Sequence, residues 1–302
     1  MDVLVGYTGF VGSNLHKQKK FEICVNSKNV KDAYGTNPDY LYYSGIPSEM
    51  FIANREPEKD YEIIEAAIEN IKKIKPKHVI IISTTAIYDT INKNEDYPID
   101  ETRLSSYGKN RYLLEKWVEK YCKNHTILRL PAIYGTNLRK NFIFDIIYGV
   151  PTYLKEDVYK KLSNQSKSIN ESFEPFMAGF YKIVKTANLS ELKNEFKRVN
   201  YDSKIFTDSR STYQYYPLDR LNSDIEYALN NEIQKINLVT PPVISSELYY
   251  YLTGEQFKNE TTKDPIQNNI MTKWTKSGYW MNKEEELLRI KKFVNGVMKN
   301  ES

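Results

Sequence analysis

Through the first 135 residues, short apolar runs alternate with longer amphipathic segments. Residues 2–5, 21–25, 41–44, 77–83 and 126–130 have the length and composition of strands, and residues 58–74 and 107–122 carry the helical repeat. In Lys77-His-Val-Ile-Ile-Ile-Ser83 the β-branched residues stand in an unbroken row that ends in small polar ones, as in a parallel strand buried on both faces. Strands alternating with helices in this way predict crossover units, hence the α/β class with a doubly wound parallel sheet.

After Gly135 the alternation fades. Helical patterns are expected at 140–149 and 154–162, a polar stretch at 163–172, and further helices across 173–198. A helix at 218–230, a strand at 236–240, a helix from about 244 and a last helix at 283–298 complete the chain. This organisation predicts a first domain over 1–135 and a smaller mixed, mainly helical region over 136–302. Part of that region, about 212–245, is expected to return to the first domain.

Composition narrows the classes. Of 302 residues, 40% are hydrophobic and 27% charged, ordinary values for a soluble globular chain, with 25 tyrosines an unusual excess. The net charge of +4 is spread along the sequence with acids beside the bases, which argues against nucleic acid as a partner. Cys24 and Cys122 have no metal-ligand spacing, and three histidines do not complete a zinc set, so no metal is expected. No apolar stretch approaches 18 residues and the N-terminus lacks a signal-peptide pattern, so the expectation is a cytoplasmic protein with no membrane partner.

The chemistry begins at the first turn. Gly6-Tyr-Thr-Gly9-Phe-Val-Gly12 directly follows the apolar run 2–5 and opens a helix, the context in which spaced glycines mark a dinucleotide site of Rossmann type. The first allows the turn, the second lets backbone amides approach a diphosphate, and the third lets helix and strand pack closely. At the end of the second strand, where an acid would take the ribose hydroxyls of NAD, the chain has Asn26-Ser27-Lys28-Asn29. With no carboxylate to repel a 2′-phosphate, NADP is favoured, and NAD stays open.

Three further landmarks follow in order: Ser83-Thr-Thr-Ala-Ile-Tyr88, Tyr107-Gly-Lys-Asn-Arg111, and Leu128-Arg-Leu-Pro-Ala-Ile-Tyr-Gly135. Together with the glycines they resemble the extended short-chain dehydrogenase/reductase superfamily, specifically its NAD(P)-dependent epimerase/dehydratase family acting on nucleotide sugars. The resemblance implies that Thr84 hydrogen-bonds the substrate oxygen, with Thr85 and Ser83 as neighbours able to do so, and that Tyr107 is the general acid/base. One helical turn later the family has lysine, but this chain has Arg111, a fixed positive charge that does not relay protons. A literal Tyr-x-x-x-Lys occurs at Tyr112 to Lys116, but Tyr112 lies roughly 140° around the helix from Tyr107. Glu115 stands eight residues after Tyr107, where the family often has Glu.

The implied cofactor contacts are Gly6, Thr8, Gly9, Phe10, Val11, Gly12, Asn26, Ser27, Lys28, Ser83, Tyr107, Arg111 and Pro131. Implied substrate contacts are Thr85, Lys140, Asn141, Arg210 and Tyr215, although a surface role for the charges and a half-buried strand for the aromatics are equally open readings. Thr85-Ala86 replaces the acidic pair of dehydratases, which leaves reduction of a keto group or epimerisation through a transient ketone. A non-catalytic, NADP-binding sensor or scaffold is the alternative. The family also implies a homodimer, pairing 58–74 and 107–122 in a four-helix bundle.

Overall fold

The computed structural model describes residues 1–177 and 179–300 and divides into two compact units. Of the described residues, the first comprises those within 1–136, 213–242 and 268–286, and the second those within 137–212, 243–267 and 287–300.

The first unit is built on six parallel strands: β1 (Asp2–Val5), β2 (Ile23–Val25), β3 (Tyr40–Tyr43), β4 (His78–Thr84), β5 (His125–Leu130) and β6 (Lys235–Asn237), in the spatial order β6-β5-β4-β3-β1-β2. The α/β doubly wound class expected from the sequence is therefore observed. The helices that cover the sheet are α1 (Phe10–Gln18), α2 (Pro57–Ile74), α3 (Ser106–Tyr121) and α4 (Leu221–Asn230). Alternation along each strand divides the core between two faces. Val3, Val5, Leu41, Tyr43, Val79 and Ile81 pack with Ile64 and Ile71 of α2 and Leu114 and Val118 of α3. Leu4, Tyr42, Ile80 and Leu128 pack with Leu15 of α1 and Ile225 of α4. Burying each such aliphatic side chain stabilises the unit by roughly 1.5–3 kcal/mol.

Only a short 3₁₀ turn, Val30–Ala33, lies between β2 and β3. The edge strand β6 is covered instead of exposed: the Trp280 indole donates to the Asn237 carbonyl at 2.8 Å and the Trp274 indole to that of Lys235 at 3.0 Å.

In the second unit the structure corrects the helical expectation for 173–198. Phe173–Met177 and Phe180–Ile183 form an antiparallel hairpin, joined on its other side by Tyr153–Lys155, and only Leu189–Arg198 is helical. The two arms are rich in aromatic residues, and Gly179 sits between them at φ +79°, a turn conformation that stops a helix. The rings of Tyr159 and Tyr181 stack at 3.8 Å. Among the described residues no helix is long and apolar enough to cross a membrane, and no group of three or more His, Cys, Asp or Glu is placed to hold a metal ion.

Candidate active site

Because the sheet is parallel, the loops leaving β1 and β4 emerge at the same edge. At the first of them Gly6 adopts φ +90°, and a Cβ placed on Gly12 would stand 2.2 Å from the Gly6 carbonyl oxygen, so strand, turn and helix meet at backbone contact. Gly9 precedes α1 and no side chain caps that helix, so its first-turn amides are arranged as an anion cradle at the positive end of the helix dipole. Thr8 and Gly9 are exposed, while Phe10 and Val11 are half-buried. The residues present thus fit a dinucleotide diphosphate. Beyond β2, Ser27 and Lys28 are exposed, whereas the Asn26 amide oxygen is engaged by the Lys28 backbone N–H at 2.9 Å.

At the second loop the Thr84 hydroxyl accepts from the Ala86 N–H at 3.1 Å, which starts a short turn over Thr85–Ile87. That turn lies directly against the start of α3: a Cβ on Gly108 would come within 2.4 Å of the Ala86 carbonyl oxygen. Only glycine permits this approach, and it brings Tyr107 beside Thr84. Two caps hold the helix start. Ser105 Oγ accepts from the Gly108 N–H at 3.3 Å, and Asn54, from the helix Met50–Arg55, accepts from the Tyr107 N–H at 3.0 Å.

Tyr107 is 5% exposed, and burial raises its phenol above the ordinary value. Arg111 and a hydrogen bond with Thr84 act in the opposite direction, and the Asp60 charge acts with burial. The Arg111 guanidinium carbon lies 4.3 Å from the Tyr107 ring centroid, and its two ends are already engaged: Nη1 with Asp60 Oδ2 at 2.6 Å and Nη2 with the Pro47 carbonyl at 2.5 Å. Asn110 donates to the same Asp60 oxygen at 2.9 Å. By contrast Lys116, the cation of the alternative pair, reaches Glu101 at 2.5 Å and lies 5.4 Å over the Tyr112 ring.

Beneath the site runs a buried polar chain that links the landmarks. Ser83 Oγ donates to Glu115, whose carboxylate is gripped by Arg129 at 2.6 Å. Arg129 Nη1 donates to the Tyr88 hydroxyl at 2.7 Å, and that hydroxyl accepts from Asn237 at 2.9 Å. Glu115 and Arg129 are 0% and 2% exposed, so the pair holds β4, α3 and β5 in one arrangement.

Of the other sequence candidates, Thr85 lies in the turn after Thr84, and Pro131 is half-buried just after β5. Tyr215 is 1% exposed on the strand Tyr215–Pro217, which pairs with Ala132–Tyr134. Lys140, Asn141 and Arg210 belong to the second unit. There Asn141 caps the helix Phe142–Tyr148, and Arg210 forks onto Asp208 at 2.9 and 3.0 Å. Sequence reasoning missed Asp60 and Asn54 as members of the Tyr107 cluster. Asp60 did leave a signal: it shares the buried stripe of α2 with Ile64, Ala67, Ile71 and Ile74.

Residues 3–150 match the RmlD substrate binding domain family. The match covers 148 of the 302 residues. No curated protein matches it. Among solved structures, it is similar to a UDP-glucose 4-epimerase of Thermotoga maritima crystallised with UDP-glucose, at 17% identity over 100% of both chains and a TM-score of 0.61. A dTDP-4-dehydrorhamnose reductase of Clostridium acetobutylicum shares 12% identity over 99% of this chain and 100% of its own, TM-score 0.61. A GDP-mannoheptose C4 reductase of Campylobacter jejuni with NADP bound shares 14% over 98% of each chain, TM-score 0.58. At these identities the likeness concerns the fold.

Proposed function

We propose that the chain is a short-chain dehydrogenase/reductase and an NADP-dependent reductase of a keto group on a nucleotide-activated sugar. The observation that carries this reading is the buried phenol of Tyr107 beside Thr84, on the sheet edge where the glycine turn opens α1. A nicotinamide dinucleotide held on that turn would supply the hydride. Tyr107 would give its phenol proton to the substrate carbonyl oxygen as that carbon gains the hydride and the π pair passes to oxygen. Thr84 orients the same oxygen. The products are the alcohol, oxidised cofactor and a tyrosinate, which takes its next proton from water, because Arg111 has none to give. Arg111 contributes a fixed charge under the ring that favours the tyrosinate while it lasts.

Ketoreduction is favoured over epimerisation because burial raises the Tyr107 phenol, a direction that suits a proton donor to a carbonyl oxygen. Preference for NADP rests on the exposed Ser27 and Lys28 and the missing acid after β2. The NADP seen in one structural neighbour agrees with it. Lys28→Ala should weaken NADPH binding about tenfold, the equivalent of roughly 1.4 kcal/mol, with little effect on NADH. Calorimetry showing NADH bound as tightly as NADPH by the unaltered protein would overturn the preference. Turnover is tested by following NADPH absorbance with nucleotide 4-keto sugars. Binding of NADPH without consumption on any of them would instead support a non-catalytic cofactor-binding protein. We propose a homodimer formed through α2 and α3, to be checked by the solution scattering mass.

A further inference from the structure

Asp60 projects from the first turn of α2 into the Tyr107 cluster, although that stripe of the helix is otherwise aliphatic. A carboxylate buried there is costly unless it is paired and hydrogen-bonded. Asp60 is both: Oδ2 accepts from Arg111 Nη1 at 2.6 Å and from Asn110 Nδ2 at 2.9 Å, and Asn110 also donates to the Pro57 carbonyl at 3.1 Å. With Nη2 on the Pro47 carbonyl at 2.5 Å, the guanidinium is fixed at both ends and lies 4.3 Å from the Tyr107 ring centroid. Asp60 and Arg111 side chains are 7% and 4% exposed, so water screens neither charge.

We propose that Asp60 is a positioning residue for Tyr107: it pins Arg111 against the ring and offsets its charge, so that the site presents Tyr107 as a proton donor. Its place in a reduction rests on the function proposed above, but the electrostatic claim does not. The groups that act on the phenol from the elements packed around it are Arg111 of α3, Asp60 of α2 and the Thr84 hydroxyl of β4, with the Asn54 amide of the helix Met50–Arg55 holding the Tyr107 backbone. Removing the Asp60 charge leaves Arg111 uncompensated, and the phenol then ionises at lower pH.

The test needs no substrate. Protein labelled with carbon-13 at the tyrosine ring is titrated by NMR, and the Tyr107 resonance is identified by its loss in Tyr107→Phe. In Asp60→Asn the Tyr107 midpoint should fall by about one pH unit or more, the effect of an unbalanced neighbouring charge. The double variant Asp60→Asn/Arg111→Gln removes both charges, so its midpoint should stay within about half a unit of the unaltered protein. A folded Asp60→Asn whose Tyr107 midpoint does not fall overturns the proposal. If that variant does not fold, the double variant decides alone: a shift of a full unit or more would contradict charge cancellation. Failure of every sugar substrate with these titrations as expected would count against the proposed reaction and leave the role of Asp60 standing.

Discussion

The two units spend their charges differently. In the first, buried charges join residues far apart along the chain: Arg111 with Asp60 across 51 positions, Glu95 with the backbone of Asn237 across 142 and with Thr272 across 177. In the second, exposed ion pairs close within a turn, Lys160 with Glu156, Lys204 with Asp202, Arg198 with Glu195. A long-range buried bond forms only when the whole unit has folded, and it then fixes the side chains it joins. A local pair at the surface forms almost anywhere and constrains little. The four landmark motifs lie in the first unit, and two of them meet, through Glu115 of α3, in the chain from Ser83 by way of Arg129 to Tyr88.

This contrast is open to direct challenge, and the largest effect should come from Glu115. Replacing it by leucine strands the Arg129 guanidinium, and we expect a loss of about 3–5 kcal/mol, read as a lower urea midpoint at unchanged slope. A loss near zero would show that the buried pair does not organise the unit.

Next is Asp145, the exception in the second unit. Burial pushes its carboxyl up to about 7, against the Ser203 hydroxyl that donates to it at 2.6 Å. For an acid whose folded value is raised, the stabilising contribution is fully present below the unfolded value of 3.8 and is lost as pH rises through about 7. A gap of this size corresponds to about 4 kcal/mol. Asp145→Asn should therefore remove the loss of stability between pH 4 and about 8 in urea titrations. An unchanged pH dependence would sink this reading. The smallest effect is expected at Lys160, where Lys160→Ala should leave the urea midpoint essentially unmoved, because its pair with Glu156 lies within one helical turn and is open to solvent. A large fall would erase the distinction between the units.

The same division governs how much was legible in the sequence. Strands β1 to β5 and helices α2 and α3 lie within about two residues of their expected spans, since their apolar spacing is regular and their ends carry signals such as Pro57 and Ser105. Tyr107 and Arg111 were expected one turn apart on one face, and the guanidinium does lie over the ring. What engages that guanidinium was not visible, because Asp60 and Pro47 come from other elements and no local spacing announces them. The hairpin over 173–183 was masked for a related reason: short aromatic-rich arms have no helical or strand period long enough to separate the two. In the second unit Arg210 was read from the sequence as a substrate contact, and the fold sets Asp208 and Glu260 against it.

The central claim is that the reducing site is built on Tyr107 and not on the neighbouring Tyr112–Lys116 pair. Its most direct test is the steady-state consumption of NADPH with a nucleotide 4-keto sugar by the unaltered protein, Tyr107→Phe and Tyr112→Phe. Loss of the proton donor predicts a fall in kcat of about 10²–10⁴-fold for Tyr107→Phe. Tyr112→Phe should stay within about twofold of the unaltered protein, because its ring faces the Lys116 ammonium, which is itself engaged by Glu101. Full activity in Tyr107→Phe, or its loss in a folded Tyr112→Phe, would contradict the account.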